Sequence, residues 1–567
     1  MQETLFNGNT MTSPAPSLVE NHDGVNNKAG VGRRFLNMYN NNNMNLVTIP
    51  EATKWATSYL KKDVSPSNIS YLVQYGKVKK HGENGTTLVS TDDLKKYYES
   101  YKATREVSWK KKLGDDLNWG LSFDNLREKD TTKHVHRLHP YKGKFIPQLV
   151  EYFVDGHTDD FKKKAYFKKD DIILDPFLGS GTTVVQAMEL GIHAVGIDVS
   201  EFNCMIASCK VADYDIAYVE KAIKQMLASL DGFERGHRIS AFDEALLNEL
   251  SKFNAIHFPN PQFKYDVNRG EINEKEQAQI VERLFLPKYN ELVEKYHIAL
   301  KQKTREAFLD KWYVANTREE IDHVFNAIKK EKNVKTRKLL ALILSRTMRS
   351  CRATTHSDLA TLQEPQLTTY YCYKHKKICK PLFSIQSMLD RYAWDTLERI
   401  KLFGGLKNGT LHAVVPGDSR VVNLLEGAKK QNPRLHALLK QKKLQGIFSS
   451  PPYVGQIDYH EQHAYAYDLL GFKRKDNLEI GPLYAGQGIA ARQSYVKGIA
   501  GVLNNCKQYF AKNYDVFLVA NDKFNLYPEI AALAGMQIVN QFKRPVLNRT
   551  ERDRNPYSEI IFHFKSK

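Results

Sequence analysis

The sequence has little cysteine: six thiols, at positions 204, 209, 351, 372, 379 and 506, in 567 residues. So few cannot staple a chain of this length, which excludes a disulfide framework and points to a reducing compartment. Long apolar runs are missing too. No stretch approaches the roughly 18 apolar residues of a membrane span, and "MQETLFNGNTMTSPAPS" has neither the basic flank nor the apolar centre of a secretory signal. Acidic residues are in deficit, 64 against 83 lysines and arginines, for a net charge of +19. That imbalance favours a polyanionic partner, nucleic acid above all. The expectation is a soluble, cytoplasmic protein with no membrane association, and the length makes two or three domains the starting assumption.

What is there changes in texture along the chain. Residues 1–43, ending in "NMYNNNNMN", cannot bury enough apolar surface to order themselves and read as a disordered leader. Between 44 and 105, "TIPEATKWATSYL" reads as a helix with Pro50 in its first turn, and "SPSNISYLVQYGKV" as a second capped by Ser65. "KKHGENGTTLVS" carries an Asn-Gly hairpin turn, and Ser90 or Thr91 caps "DDLKKYYES". This order resembles the excisionase-like winged helix-turn-helix. The resemblance implies a DNA-binding domain with its second helix in a groove and its wing on phosphate; a protein-docking module with the same core is the alternative.

A strand-turn-helix-strand unit, "DIILD" to "HAVGID", opens a parallel α/β sheet within 106–210. Residues 211–404 read as a mostly helical insertion. Within 405–567, "GTLHAVVPGDS", "LQGIFSSPPY" and "DVFLVAND" continue the sheet, and "MQIVNQFKRPVLN" with "YSEIIFHF" suits an antiparallel edge hairpin.

The turn "DPFLGSGTT", Asp175 to Thr183, places glycines 179 and 181 where backbone can approach a ligand over a helix N-terminus. Val184 stands where the dinucleotide fingerprint has its third glycine, and no Gly-Lys-Ser/Thr is present, so a P-loop is excluded. Asp198, ending "VGID", is placed to bond the two hydroxyls of a ribose. The combination suits a nucleoside without a pyrophosphate.

"DPFLGSGTT" together with "SPPY", Ser450 to Tyr453, resembles the amino-methyltransferases of DNA, which methylate cytosine N4 or adenine N6. "HPYKGKFIPQL", residues 139–149, resembles the segment that closes over the methionine end of S-adenosylmethionine in that family, and Gly417-Asp418 resembles its adenine-reading strand end. The resemblance implies an α/β fold of the Rossmann-like methyltransferase kind, S-adenosylmethionine as cofactor, and double-stranded DNA as substrate. A cognate restriction endonuclease is a candidate partner. It further implies that Asp175 receives the methionine ammonium, that Phe177 lines the pocket, that Asp198 holds the ribose and that Asp418 accepts from the adenine amino group. Tyr141, Lys144, Phe145, Pro147, Pro176, Gly179, Ser180, Gly181, Thr182 and Thr183 complete the expected cofactor site.

The two prolines have a chemical use in such an enzyme. An exocyclic amine is a poor nucleophile because its lone pair is delocalised into the ring. Rigid acceptors aimed at its N–H bonds free that lone pair, most effectively when preorganised. Pro451 and Pro452 have fixed φ and no competing N–H. The Pro451 carbonyl and the Ser450 hydroxyl are the candidate acceptors, and Tyr453 offers a face on which a flipped base can stack. In the family that these motifs resemble, serine at the first position goes typically with cytosine N4, so the resemblance implies cytosine N4, with adenine N6 as runner-up. A DNA-binding regulator with an inactive core is a third reading. Asp458 and Tyr459 follow as candidate base contacts.

The cofactor motifs precede the catalytic motif, and the insertion between them is the candidate target-recognition domain. Its segment "KTRKLLALILSRTMRSCRATTHSD" reads as a DNA-facing helix or, alternatively, as scaffold. Cys351, Cys372, His375 and Cys379, with His356 nearby, are candidate zinc ligands, though a buried cysteine acting as a small hydrophobe is the default. Lys543, Arg544, Arg549, Arg552 and Arg554 form a basic turn that could track phosphates or pair internally with Glu551 and Asp553.

Overall fold

Seven strands build the central sheet: β1 (Ile172–Asp175), β2 (His193–Asp198), β3 (His412–Pro416), β4 (Leu444–Ser449), β5 (Phe510–Ala520), β6 (Met536–Pro545) and β7 (Ser558–Ser566). Their spatial order is β6-β7-β5-β4-β1-β2-β3. The first five run parallel, whereas β7 is antiparallel to both β5 and β6. The long alternating segments at the end of the sequence therefore form the expected antiparallel hairpin.

Parallel strands are covered on both faces, so their side chains alternate between two cores. In β1, Ile172 and Leu174 enter one core and Ile173 the other. The same alternation runs through β4, with Ile447 on one side and Phe448 on the other. Helices Thr182–Glu189 and Glu201–Val211 cover one face together with helices of the insertion, including Ile216–Glu234, Val334–Ser350 and Gln386–Gly404.

The computed structural model describes residues 45–567 except 61–63, 75, 83–86, 103–104, 125, 127, 235–238, 302–306, 357–363 and 548–554. The leader, the Asn-Gly turn at 84–85, and Arg549, Glu551, Arg552, Asp553 and Arg554 lie outside the described residues. The chain divides into two compact units. Among the described residues, the larger comprises Ser108–Phe253 and Ile280–Lys567, and the smaller comprises residues 45–107 together with Asn254–Gln279. A stretch of the segment read as insertion thus belongs to the smaller unit.

In the smaller unit, strand Leu46–Thr48 pairs antiparallel with Leu88–Ser90, and helices Ile49–Leu60, Pro66–Gln74 and Thr91–Lys102 surround a core of Ala52, Ala56, Ile69, Leu72, Val73 and Val89. Ser65 Oγ accepts from the Asn68 N–H at 3.3 Å, and Ser90 Oγ from that of Asp93 at 3.3 Å, so both helices begin at a serine cap. His81 and Leu88 bridge antiparallel at the base of the expected hairpin.

The helix Val334–Ser350 departs from its DNA-facing reading. Every residue from Leu339 to Met348 is buried. Even Arg346 is inside, bonded to Asp395 at 2.7 Å and lying over the Tyr392 ring. Its apolar positions outnumber what one face needs, and the extra ones are core.

Where β4 meets β5 the register shifts between Leu444 and Gly446. A Cβ on Gly446 would lie 1.8 Å from the carbonyl oxygen of Asp515, so no side chain fits without separating the strands. Gly446→Ala should lower stability by at least about 2 kcal/mol, measured as a fall in the midpoint of chemical or thermal unfolding.

Candidate active site

The carboxyl ends of β1, β2, β3 and β4 open into one cavity, lined by residues from the turns after each of them. Open parallel sheets bind ligands at this end because the strand-to-helix turns converge there. From the turn after β1 come Asp175, Pro176, Phe177, Gly179, Ser180 and Thr182; β2 contributes Asp198, the turn after β3 Asp418, and the turn after β4 Ser450 and Pro452. Tyr141, Lys144 and Phe145 close another wall.

The β1 turn is held by hydrogen bonds from four other segments. Ser449 Oγ donates to Asp175 Oδ1 at 2.5 Å. Thr183 Oγ1 donates to the Phe448 carbonyl at 3.1 Å, and Ser419 Oγ to that of Pro176 at 2.6 Å. The Gly179 N–H donates to Asp198 Oδ2 at 2.8 Å, and Lys210 Nζ to the Ser180 carbonyl at 2.6 Å. Gly179 and Gly181 take positive φ, and a Cβ on Gly181 would lie 2.8 Å from that of Ala207. The glycines are therefore needed for close packing of the turn on the helix Glu201–Val211 as well as for access to a ligand.

Several expected residues support the cavity from behind. Pro147 opens the helix Pro147–Val154 and is buried. Gly181 caps the next helix, and Thr183 is fully buried. Among the catalytic candidates, Pro451 is buried outside the lining, and Tyr453 is half-buried with its hydroxyl donating to Glu559 at 2.8 Å. Ser450 Oγ donates its proton to the Val519 carbonyl at 3.0 Å.

The carboxylates already have partners. Asp198 also accepts from the Ser200 N–H and from Asn203 Nδ2. Asp418 holds Arg420 through three contacts of 2.7–3.0 Å, and this pair keeps its carboxyl below the usual range against the opposing effect of burial. Asp458 accepts from the backbone of Tyr484 rather than reaching the cavity, which Tyr459 does line.

Sequence reasoning missed Lys210, Asn203, His460 and Glu479. Lys210 is the lone lysine on a buried helix, and burial pushes its pKa well down. Asn203 Nδ2 donates to Tyr141 as well as to Asp198. His460 Nδ1 pairs with Glu479, and both line the cavity. Ser180 Oγ and His460 Nε2 are buried without a protein partner there. Unpaired buried polar atoms facing a cavity suit a polar ligand that satisfies them.

Lys543 donates to Asp116 at 2.9 Å and to the Leu113 carbonyl, while Arg544 is buried beside Glu559. For these two residues the structure favours the internally paired reading over phosphate tracking, with partners other than Glu551 and Asp553. Cys351 lies buried in the large core, apart from the cluster that His356, Cys372, His375 and Cys379 form.

Asp175 is 2% exposed, and burial raises its pKa to about 6 despite the bonds from Ser449, Thr183 and Phe177. Above that pH the folded chain holds a costly buried charge; as pH falls through 6 it protonates in the folded state first, and the cost recedes. Asp175→Asn keeps the shape and should stabilise the ligand-free protein by about 1–3 kcal/mol at pH 7.5. The gain should shrink toward pH 4, as read from unfolding midpoints at several pH values.

A family model described as DNA methylase, N6_N4_Mtase, matches residues 7–208. The type II methyltransferase M.MjaII of Methanocaldococcus jannaschii is 45% identical over 527 residues, 92% of this chain and 97% of that protein. Shorter similarities link the chain to two further type II methyltransferases. M.MvaI of Kocuria varians is 32% identical over 120 residues, 21% of this chain and 24% of its own length. M.BsoBI of Geobacillus stearothermophilus is 32% identical over 94 residues, 16% and 17% respectively. With its glycine turn and serine-proline turn on one cavity, and a relative matched nearly end to end, the chain belongs to the N6/N4 DNA methylase family of type II methyltransferases, which use S-adenosylmethionine.

Proposed function

We propose that the chain transfers a methyl group from S-adenosylmethionine to the exocyclic N4 of cytosine in duplex DNA, as the protective half of a restriction-modification system. The observation that carries this reading is the state of Ser450. Its only hydroxyl proton is given to the Val519 carbonyl, so toward the cavity, beside the Tyr453 hydroxyl that also meets it, the serine oxygen can act only as an acceptor.

The bound cofactor supplies an electrophilic methyl on sulfonium. Asp175 faces the methionine ammonium, and Ser180 and Asn203 serve the polar rim of that end. Asp198 holds the ribose, and Asp418, steadied by Arg420, meets the adenine. Ser450 and the Pro451 carbonyl accept from the two N–H bonds of the target amine and turn its lone pair toward the methyl. Tyr453, anchored through Glu559, presents its ring to the extruded base. With the cofactor bound, Ser450 and the Pro451 carbonyl would hold the amine so that its lone pair could receive the methyl, the amine giving up one proton.

In the smaller unit, the helix Pro66–Gln74 acts as the groove-reading helix of a winged helix-turn-helix, and the helical insertion selects the target site. The charge of +19 favours both. A restriction endonuclease of the same specificity is the expected companion. Among the described residues no helix is long and apolar enough to cross a membrane.

DNA from cells expressing the protein, hydrolysed and weighed as nucleosides, should contain N4-methylcytosine; N6-methyladenine in its place would overturn the base assignment. In purified enzyme, Ser450→Ala should lower kcat on the order of 10²-fold with little change in cofactor affinity. Turnover at the full rate would contradict the acceptor role.

A further inference from the structure

Away from the cavity, four side chains of the insertion converge. His356, Cys372, His375 and Cys379 each bring a ligand atom within 4.8 Å of the other three. They come from a minimal scaffold: strands Tyr370–Cys372 and Lys377–Cys379, paired antiparallel, and the segment that follows the helix Val334–Ser350.

The spacing is that of a tetrahedron's edges. His356 Nδ1 lies 3.6 Å from Cys372 Sγ, and His375 Nδ1 lies 3.4 Å from Cys379 Sγ. A sulfur at about 2.3 Å and a nitrogen at about 2.0 Å from a common tetrahedral centre lie about 3.5 Å apart. The two imidazole rings are 4.5 Å apart at their centroids.

The surroundings favour a metal over a packed thiol pair. On the ligand-bearing face of the hairpin only Tyr370, Cys372 and Cys379 cluster, while the cross-strand pair Tyr371 and Ile378 is buried apart from them, so that face has little apolar area of its own. The turn is shaped around the sulfur. The His375 N–H points at Cys372 Sγ at 3.4 Å, Lys376 takes φ +52°, and its N–H donates back to the Cys372 carbonyl at 2.6 Å. An N–H aimed at sulfur favours the thiolate that a metal needs. The Tyr370 hydroxyl accepts from the His356 backbone N–H at 3.0 Å and so positions the backbone of that residue; its 2.8 Å contact with His356 Nδ1 would give way to a metal bound at that nitrogen.

We propose that His356, Cys372, His375 and Cys379 bind one structural zinc ion. Two thiolates and two imidazoles make a closed tetrahedral set for which zinc is the fitting ion. All four positions are protein ligands, so the ion clamps rather than catalyses. It ties the chain leaving the core helix Val334–Ser350 to the hairpin, and the Tyr289 hydroxyl, donating to the Leu367 carbonyl at 2.6 Å, holds the strand's approach to that clamp.

Full-length protein from zinc-supplemented medium, dialysed against metal-free buffer, should carry about one zinc per chain by plasma mass spectrometry. X-ray absorption at the zinc edge should fit two sulfur and two nitrogen neighbours. Cys372→Ser and Cys379→Ser should each lose the ion, and Cys351→Ser should keep it. Where a variant is insoluble, the stoichiometry and absorption fit of the wild-type protein decide the matter. Wild-type protein without zinc, a Cys372–Cys379 disulfide in the native chain, another metal on these ligands, or full zinc retention by both cluster variants would overturn the site.

Discussion

The hydrogen bond from Ser449 to Asp175 joins the ends of two adjacent parallel strands, and the active-site arrangement depends on that junction. β1 delivers the glycine turn and β4 the serine-proline turn, although Asp175 and Ser449 are 274 positions apart in the chain. Because the strands are neighbours, both turns emerge at one edge and face one cavity. Thr183 repeats the tie one step away, through the carbonyl of Phe448. A methyl transfer requires donor and acceptor to be held in line, and effective molarity is lost quickly when supports slacken. Here the supports are side-chain bonds to a carboxylate and to a backbone carbonyl at the ends of two buried strands.

The insertion does not disturb this junction because it leaves after β2 and returns at β3, on the side of β1 away from β4. Its helices add to the core on one face. The ligand-bearing face of its hairpin has little apolar area of its own, and two thiols and two imidazoles converge there, which is the physical reason to expect an ion.

Much of the site was legible because its chemistry depends on rare local sequence. Glycine at 179 and 181 and two successive prolines are costly in an ordinary strand-to-helix connection, so they mark backbone that must do something particular. The alternating C-terminal segments were legible for a different reason, since period-two burial of a long hairpin has few other readings. Contacts made by common residues were not legible. Nothing adjacent to Glu479 announces that it will meet His460, and Glu559 reaches Tyr453 across 106 positions. The helix Val334–Ser350 misled because a basic apolar helix reads alike whether its apolar residues form one face or a core, and Arg346 had an unseen partner in Asp395. Among the cysteines, spacing placed Cys351 near the cluster, but the helix C-terminus carries it into the core and His356 takes the fourth place.

In the proposed reaction the alkyl donor and the target amine meet between the β1 turn and the β4 turn. A crystal structure with S-adenosylmethionine bound tests it most directly. The account predicts the methionine ammonium against Asp175 and the donor methyl facing Ser450 and Pro451. A cofactor lodged elsewhere, or bound here with its methyl turned away from that serine-proline turn, would contradict it.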